Sequence, residues 1–79
     1  MQESISVHDL EVGQRAQITH LVGRTESLVR LGEIGFRAGA AITMVRTGPA
    51  CIVRLGATKL CIRPVDVDVR VRPNEPIAR

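Results

Sequence analysis

The chain has 79 residues, of which 44% are hydrophobic, and it carries a formal net charge of +3 from 11 basic and 8 acidic side chains. This length fits one small domain and excludes a pair of independently folded domains. Phe36 is the only aromatic residue, which excludes the platform of several exposed rings on which single-strand nucleic-acid folds depend.

Basic residues are distributed along the whole sequence, and no cluster of four appears. This distribution predicts a solvated surface with weak attraction to an acidic partner, and it does not favour strong electrostatic binding of nucleic acid. The first residues, Met1 to Ser4, have no basic start and no apolar run, and no apolar stretch reaches the length of a membrane span. We therefore expect a cytoplasmic protein that does not itself span a membrane, in which a disulfide would be unusual.

The segment that ends at Gly13, the first glycine, is expected to contain two apolar residues that anchor it in the core. Residues 1–6 are polar apart from Ile5 and are expected to be loose. Residues 7–13 are predicted to form one turn of helix or a loop that crosses the core, with Leu10 and Val12 as the anchors.

The first predicted strand covers residues 14–21. Ala16 and Ile18 share one face of this strand because its side chains alternate with a period of two. The same period places His20 on that side unless the strand bends before it. A turn is predicted at Gly23.

One helix is predicted, over residues 24–34, with the hydroxyl of Thr25 as its N-cap. Its main apolar positions recur at a spacing of three: Leu28, Leu31 and Ile34. Gly35 follows the last apolar position, where a residue with positive φ ends many helices. A helix of about three turns does not stand alone in water, so we expect it to pack on other elements.

Beyond Gly39 the hydrophobic period becomes two, which predicts a series of strands. These strands cover residues 40–47, 51–55, 59–63 and 65–72. A tight hairpin turn is predicted at Gly56-Ala57-Thr58. On such a hairpin Cys51 faces the core and Cys61 faces outward, while the valines of the last strand share one face.

These elements predict a mainly β fold of about five short strands with one short α-helix inserted after the first strand. A sheet that curls on itself leaves no exposed strand edges, and the core inside it is small enough to be filled by a few aliphatic side chains. We therefore predict a small SH3-like barrel. The chain is expected to be a single domain over residues 1–79, with its core at about 7–72. Both termini, including the tail that holds Pro73 and Pro76, are expected to be loose.

No nucleophile stands beside a base in a pattern typical of catalysis, and no G-x-x-x-x-G-K-[ST] is present. We therefore predict that the protein is not an enzyme and has no cofactor. The candidate metal ligands are His8, His20, Cys51 and Cys61. No C-x-x-C or H-x-x-x-H spacing links them, which favours the absence of a metal site over the metal-binding alternative.

The helix and the turn after it allow two interpretations. The simpler one places the apolar side chains in the core: Leu28, Leu31, Ile34 and Phe36. The alternative is that part of this region stays exposed as a docking cleft, because exposed apolar patches mark partner-binding sites. Arg30 and Arg37 flank the region as solvated charges or as contacts for acidic groups on a partner.

The segment Arg30-Leu31-Gly32-Glu33-Ile34-Gly35-Phe36-x-x-Gly39 resembles the R-x-x-x-L-G-[LFM]-x-x-G motif of the FeoA family, the small ferrous iron transport protein A. Further pieces in the same order are similar to that family: Leu10-x-x-Gly13-x-x-Ala16-x-Ile18, Met44-Val45-Arg46-Thr47-Gly48-Pro49 and Leu60-Cys61-Ile62-Arg63. The resemblance covers about residues 7–72. Its structural positions are Gly13, Gly32, Gly35, Gly39, Pro49 and Arg63. The chain departs from the family in its shorter loop after Pro49.

The resemblance implies an SH3-like barrel in the bacterial cytoplasm, with an accessory or regulatory role and no chemistry of its own. It implies one partner, the cytosolic GTP-binding domain of FeoB, the membrane transporter of ferrous iron. The same domain resembles the C-terminal SH3-like module of DtxR-type iron-dependent repressors. The candidate contact residues are Leu28, Arg30, Leu31, Ile34, Gly35, Phe36 and Arg37. The alternatives are a module with a regulatory, metal-binding or weak nucleic-acid-binding role, and weak self-association through a strand edge.

Overall fold

The structure, a computed structural model, describes residues 4–74, which form six short strands, one α-helix and one 3-10 turn. The strands are β1 (Ile5–Ser6), β2 (Arg15–Gly23), β3 (Ala41–Arg46), β4 (Cys51–Leu55), β5 (Thr58–Ile62) and β6 (Val67–Pro73). The α-helix, α1, covers Thr25–Glu33, and a single 3-10 turn covers Val7–Asp9. The predicted mainly β fold with one short α-helix is confirmed, but the helix follows the second strand rather than the first, because the unpredicted β1 precedes β2.

The six strands form one antiparallel sheet in the order β1-β6-β2-β3-β4-β5. The pairing of residues 4–74 leaves β1 and β5 as edges, so the sheet is not closed, and the strands number six rather than five. Buried residues from β2 to β6 nevertheless belong to one apolar cluster. The sheet therefore curves around a single core without joining its two ends.

β1 is the strand that the sequence pattern did not predict. Ile5 lies opposite Val71 and Ser6 opposite Arg70, both on β6. The expectation that residues 4–6 are loose is therefore wrong, and residues 1–3 lie outside the described part. At the other end, Pro73 belongs to β6 and pairs with Ala16, and the amide of Asn74 donates to the carbonyl oxygen of Arg15 at 3.0 Å. The expectation of a loose tail is therefore wrong for residues 73 and 74, and residues 75–79, including Pro76, lie outside the described part.

The segment after β1 anchors the core with Val7 and Leu10, whose side chains are 0% and 2% exposed. The amide of Leu10 donates a hydrogen bond of 3.2 Å to the carbonyl oxygen of Val7. A 3-10 turn has about three residues per turn, so these two side chains lie on the same side. Val12 falls outside this spacing and is 64% exposed, so the prediction that it is an anchor is wrong.

A register shift in the pairing of β2 with β6 lies between Ile18 and His20. The extra residue, Thr19, turns the strand so that Ile18 is buried while His20 is exposed. The strand therefore bends before His20, and this bend takes His20 off the core face. Beyond it, Leu21 packs against the core and Val22 faces solvent.

Helix α1 begins without a side-chain cap. Arg24 is the N-cap residue, with extended backbone angles, and its carbonyl oxygen accepts the first helical hydrogen bond from the amide of Leu28 at 3.0 Å. Thr25 is already the first helical residue, so the prediction that its hydroxyl caps the helix is wrong. The helix begins at Thr25 because the extended N-cap residue, Arg24, comes directly after the end of β2.

The last strand begins two residues later than predicted. The amides of Asp66 and Val67 both donate to the carbonyl oxygen of Arg63, at 3.0 and 3.2 Å, and form a turn after β5. Val65 lies in that turn and is 86% exposed, so its predicted place on the buried face of the strand is wrong. Val67, Val69 and Val71 alternate on the core face as expected.

Candidate interaction surface

The C-terminal end of α1 is fixed by two backbone hydrogen bonds. The amide of Gly35 donates to the carbonyl oxygen of Gly32 at 3.0 Å, and the amide of Phe36 donates to that of Leu31 at 2.9 Å. This pair of bonds is a Schellman motif, and it requires the positive φ of +92° that Gly35 adopts. The predicted role of Gly35 as the residue that ends the helix is confirmed.

Phe36 anchors the turn after α1 in the core. Its side chain is 0% exposed, and Leu31 is partly buried against the same apolar cluster. Schellman motifs commonly place apolar residues at these two positions. Phe36 is therefore an internal anchor whose ring is inaccessible to a partner.

The turn after Phe36 is bonded to β2 before β3 begins. The amide of Gly39, with φ +96°, donates to the carbonyl oxygen of Ile18 at 2.7 Å. The amide of Ile18 donates in return to the carbonyl oxygen of Ala40 at 2.8 Å. Both ends of the turn, the helix end and the strand start, are thus held by backbone bonds, which fixes the direction of α1 relative to β2.

No residue of α1 is fully buried. Leu28 and Leu31 are half-buried against the core, as predicted, but Ile34 is 49% exposed. Ile34 is the C-cap residue, and its angles, φ −96° and ψ 7°, take it off the helical stripe. The simpler interpretation is therefore wrong for Ile34 and confirmed for Leu28, Leu31 and Phe36.

Four exposed residues lie in the second half of α1 and in the turn that follows it. We call this group the helix surface and define it by Val29, Arg30, Ile34 and Arg37. Val29 is 56% exposed, and both arginines are exposed. Arg30, Ile34 and Arg37 are among the predicted contact candidates, and Val29 is not. The available indication was that Val29 is an apolar residue out of phase with the buried positions of the helix.

The other positions of the family motif lie in turns or on the surface. Gly13 has a φ of +88° and its amide donates to the carbonyl oxygen of Met44 at 2.7 Å, which links the first turn to β3. Gly32 is helical and has open space where a side chain would begin. Pro49 is exposed in the turn before β4, and Arg63 is exposed after β5.

The predicted orientation of the two cysteines is confirmed. Cys51 lies opposite Ile62 and is 0% exposed, whereas Cys61 lies opposite Ile52 and is exposed. Burial is the main cause that raises the pKa of the Cys51 thiol above its ordinary value of 9.0. A backbone hydrogen bond opposes this shift, and the nearby Cys61 adds to it.

The candidate metal ligands are not assembled into a site. Within residues 4–74, no group of three or more His, Cys, Asp or Glu side chains is placed to hold a metal ion. His20 is exposed, with Nδ1 3.2 Å from the hydroxyl oxygen of Thr19. Nε2 of His8 is buried and has no hydrogen-bond partner in the described part of the chain.

The fold and the helix surface together define a class, a small antiparallel-sheet domain that offers an exposed aliphatic and basic helix end. A family model described as the FeoA domain matches residues 5–73. The chain belongs to the FeoA family.

The fold is similar to that of a crystal structure described as the iron uptake regulatory protein FeoA. The TM-score is 0.67 at 19% sequence identity, and the match covers 87% of this chain and 99% of that chain. At this identity the similarity shows the fold. No curated protein matches the chain.

Membership of the FeoA family supports a role in ferrous iron transport. Among the helices of residues 4–74, none has the length and apolar character needed to cross a membrane.

Proposed function

We propose that this protein is a non-enzymatic accessory protein of bacterial ferrous iron uptake. It acts in the cytoplasm by direct contact with the cytosolic GTP-binding domain of a FeoB-type membrane transporter. The match of the FeoA domain to residues 5–73 carries the proposal, because it spans every strand and the helix that the structure describes. We assign the open, curved sheet to the SH3-like class of small β domains, which supports a role in protein contact.

The helix surface is the contact that we propose for this partner. Val29 and Ile34 expose aliphatic area that water hydrates unfavourably, so covering it favours association. Arg30 and Arg37 are exposed and close to these residues in the sequence, and they would supply charge at the rim of the contact. Arginine is enriched at protein interfaces, and an apolar patch with guanidinium groups near it fits an interface that has an apolar centre and a charged rim.

The backbone around the helix surface supports binding without rearrangement. The Schellman bonds at Gly35 and the paired bonds between Gly39, Ala40 and Ile18 hold the helix end in one position. A surface that is ordered before association loses little conformational entropy on binding. The buried ring of Phe36 contributes through this rigidity rather than through contact.

The direct test is a calorimetric titration of the transporter's cytosolic domain with the protein and with two matched variants. Ile34→Asp places a charge on the helix surface, and we expect it to weaken binding at least about tenfold. Val65→Asp makes the same kind of change in the turn before β6, where the side chain is 86% exposed, and should leave the affinity unchanged.

Two results would contradict the proposal. The first is an absence of binding by the unaltered protein together with normal ferrous iron uptake in a strain that lacks it. The second is an equal loss of affinity in both variants, which would exclude the helix surface as the contact while leaving the partner in place.

A further inference from the structure

β5 is an edge strand with one paired side. It stands last in the sheet order, and β4 is its only strand partner within residues 4–74. A two-residue turn joins the two strands, and Gly56 occupies its first central position with φ +60°, as a type II′ turn requires. The other side of β5 therefore presents backbone groups that the sheet does not use.

The register identifies which backbone groups are free. Leu55 and Thr58 flank the turn and form its hydrogen-bonded closing pair. Hydrogen-bonded and non-bonded pairs alternate along an antiparallel ladder, so Lys59 and Cys61 belong to non-bonded pairs. Their amide and carbonyl groups point away from β4. No backbone partner elsewhere in the described chain meets them.

The part of the sequence that contains β4 and β5 carries charge of one sign. Between Glu33 and Asp66 the sequence contains no acidic residue. It contains these basic residues: Arg37, Arg46, Arg54, Lys59 and Arg63. Basic positions that are separated in the sequence meet across the strands, since Arg54 lies directly opposite Lys59 and both are exposed.

The two faces of β5 differ in chemistry. Lys59 and Cys61 are exposed on the outer face, whereas Leu60 is half-buried and Ile62 is buried on the inner face. In a strand that pairs with this edge, each side chain points to the same face of the sheet as the β5 side chain opposite it. Its outer side chains would meet cations, and its inner side chains would meet aliphatic groups.

We propose that the open edge of β5 binds an extended, acidic segment of a partner protein as an added strand. The backbone of that segment pairs with Lys59 and Cys61, and its carboxylates lie beside Lys59, with Arg54 one strand further away on the same face. Aliphatic side chains alternate with these carboxylates and lie beside Leu60. The site uses an element other than the helix surface, so this inference does not rest on the proposed function.

Two features favour a peptide segment over other anionic or identical partners. The edge presents both amide donors and carbonyl acceptors, and a polypeptide backbone satisfies both, whereas a phosphate group supplies acceptors only. Pairing of two copies through β5 would bring two sets of the same cations together, which like-charge repulsion disfavours. A lysine on an edge strand opposes such self-pairing, whereas the carboxylates of an acidic strand neutralise the charge of that lysine.

The test is an NMR titration of the isotope-labelled protein with a synthetic peptide in which glutamate alternates with valine over about seven residues. We expect saturable shifts of the Lys59 and Cys61 amide resonances, with binding that weakens as salt is added. The matched control peptide replaces every glutamate with lysine and should not bind.

Three protein variants separate charge from backbone pairing. Lys59→Glu should lower the affinity for the glutamate peptide about tenfold, because an attractive cross-strand pair becomes repulsive. Arg24→Glu makes the same change in net charge before α1 and should leave the affinity unchanged. Cys61→Pro removes an outward amide, a change that edge strands tolerate, and should lower the affinity about fivefold.

The dispersion of the amide resonances reports whether each variant is folded, and Lys59→Glu tests the proposal even if Cys61→Pro does not fold. Equal binding of both peptides, or shifts confined to α1, would overturn the proposal. So would β5 shifts that depend on protein concentration without peptide, which would indicate a second copy. Shifts caused by a DNA duplex or by phosphatidylglycerol vesicles, but not by the glutamate peptide, would assign the edge to those ligands instead.

Discussion

The amide of Phe36 donates a 2.9 Å hydrogen bond to the carbonyl oxygen of Leu31 across the end of α1. This bond exists only because the intervening Gly35 turns the chain with a φ of +92°. It connects the residue that anchors the turn in the core with a helical residue that packs on that core. The position of the helix surface therefore depends on one backbone conformation.

Gly35→Ala is expected to destabilise the protein by about 1 to 2 kcal/mol, because an L side chain is strained at positive φ. Steric overlap is not the cause, since an added Cβ would meet only Cδ2 of Leu55 at 3.8 Å, an ordinary contact distance. Urea denaturation followed by circular dichroism measures the change in the free energy of unfolding.

The control for this prediction is Gly32→Ala, only three positions earlier in the same motif. Gly32 is helical and has no neighbour within 4 Å of an added Cβ, so alanine should stabilise the helix by about 0.5 to 1 kcal/mol. The two glycines are thus expected to give changes of opposite sign. Equal destabilisation by both substitutions would show that positive φ is not what distinguishes Gly35.

Val7→Ala and Val12→Ala test which residue of the first turn anchors the core. Val7 is fully buried, so its truncation removes apolar contact and leaves a cavity, at a cost of about 2 kcal/mol. Val12 is 64% exposed, and its truncation should change the free energy of unfolding by less than about 0.5 kcal/mol. Thermal unfolding of both variants measures the difference. A larger loss at Val12 would contradict the 3-10 spacing that buries Val7.

The sequence predicted those features that depend on local spacing. The period of two correctly separated buried Cys51 from exposed Cys61, and Gly35 correctly marked the helix end. In each case the physical cause lies within a few residues, in strand alternation or in the conformational freedom of glycine. The family motif is also local, since it covers residues 30–39 and contains three of the four residues of the helix surface.

Features that depend on distant pairing were not predictable in this way. β1 has two residues and no periodicity, and its partner strand β6 lies at the other end of the described chain. The exposure of Ile34 depends on how the helix ends against the sheet rather than on its spacing from Leu31. The pairing of Arg54 with Lys59 became visible only with the hairpin register, so a sequence without a four-residue basic cluster still places two basic residues opposite each other.

The two thiols should differ in their rates of alkylation. Cys61 is exposed and should react with iodoacetamide at the rate of a free thiol. Cys51 is buried and should react only when the protein opens, so its rate should rise with added urea. Mass spectrometry of peptides from the alkylated protein measures both rates. Similar rates at the two positions in the native protein would contradict the burial of Cys51.

The stability of the protein should fall at alkaline pH because of Cys51. Burial raises the pKa of this thiol above 9.0, so above about pH 9 the folded protein keeps a proton that the unfolded chain loses. The resulting stabilisation is therefore complete below about pH 9 and decreases as the pH rises, by at most about 1.4 kcal/mol per pH unit. Urea denaturation across this range measures the slope. Cys51→Ala should remove this part of the pH dependence and Cys61→Ala should retain it, whereas the same slope in all three proteins would exclude the Cys51 thiol as its source.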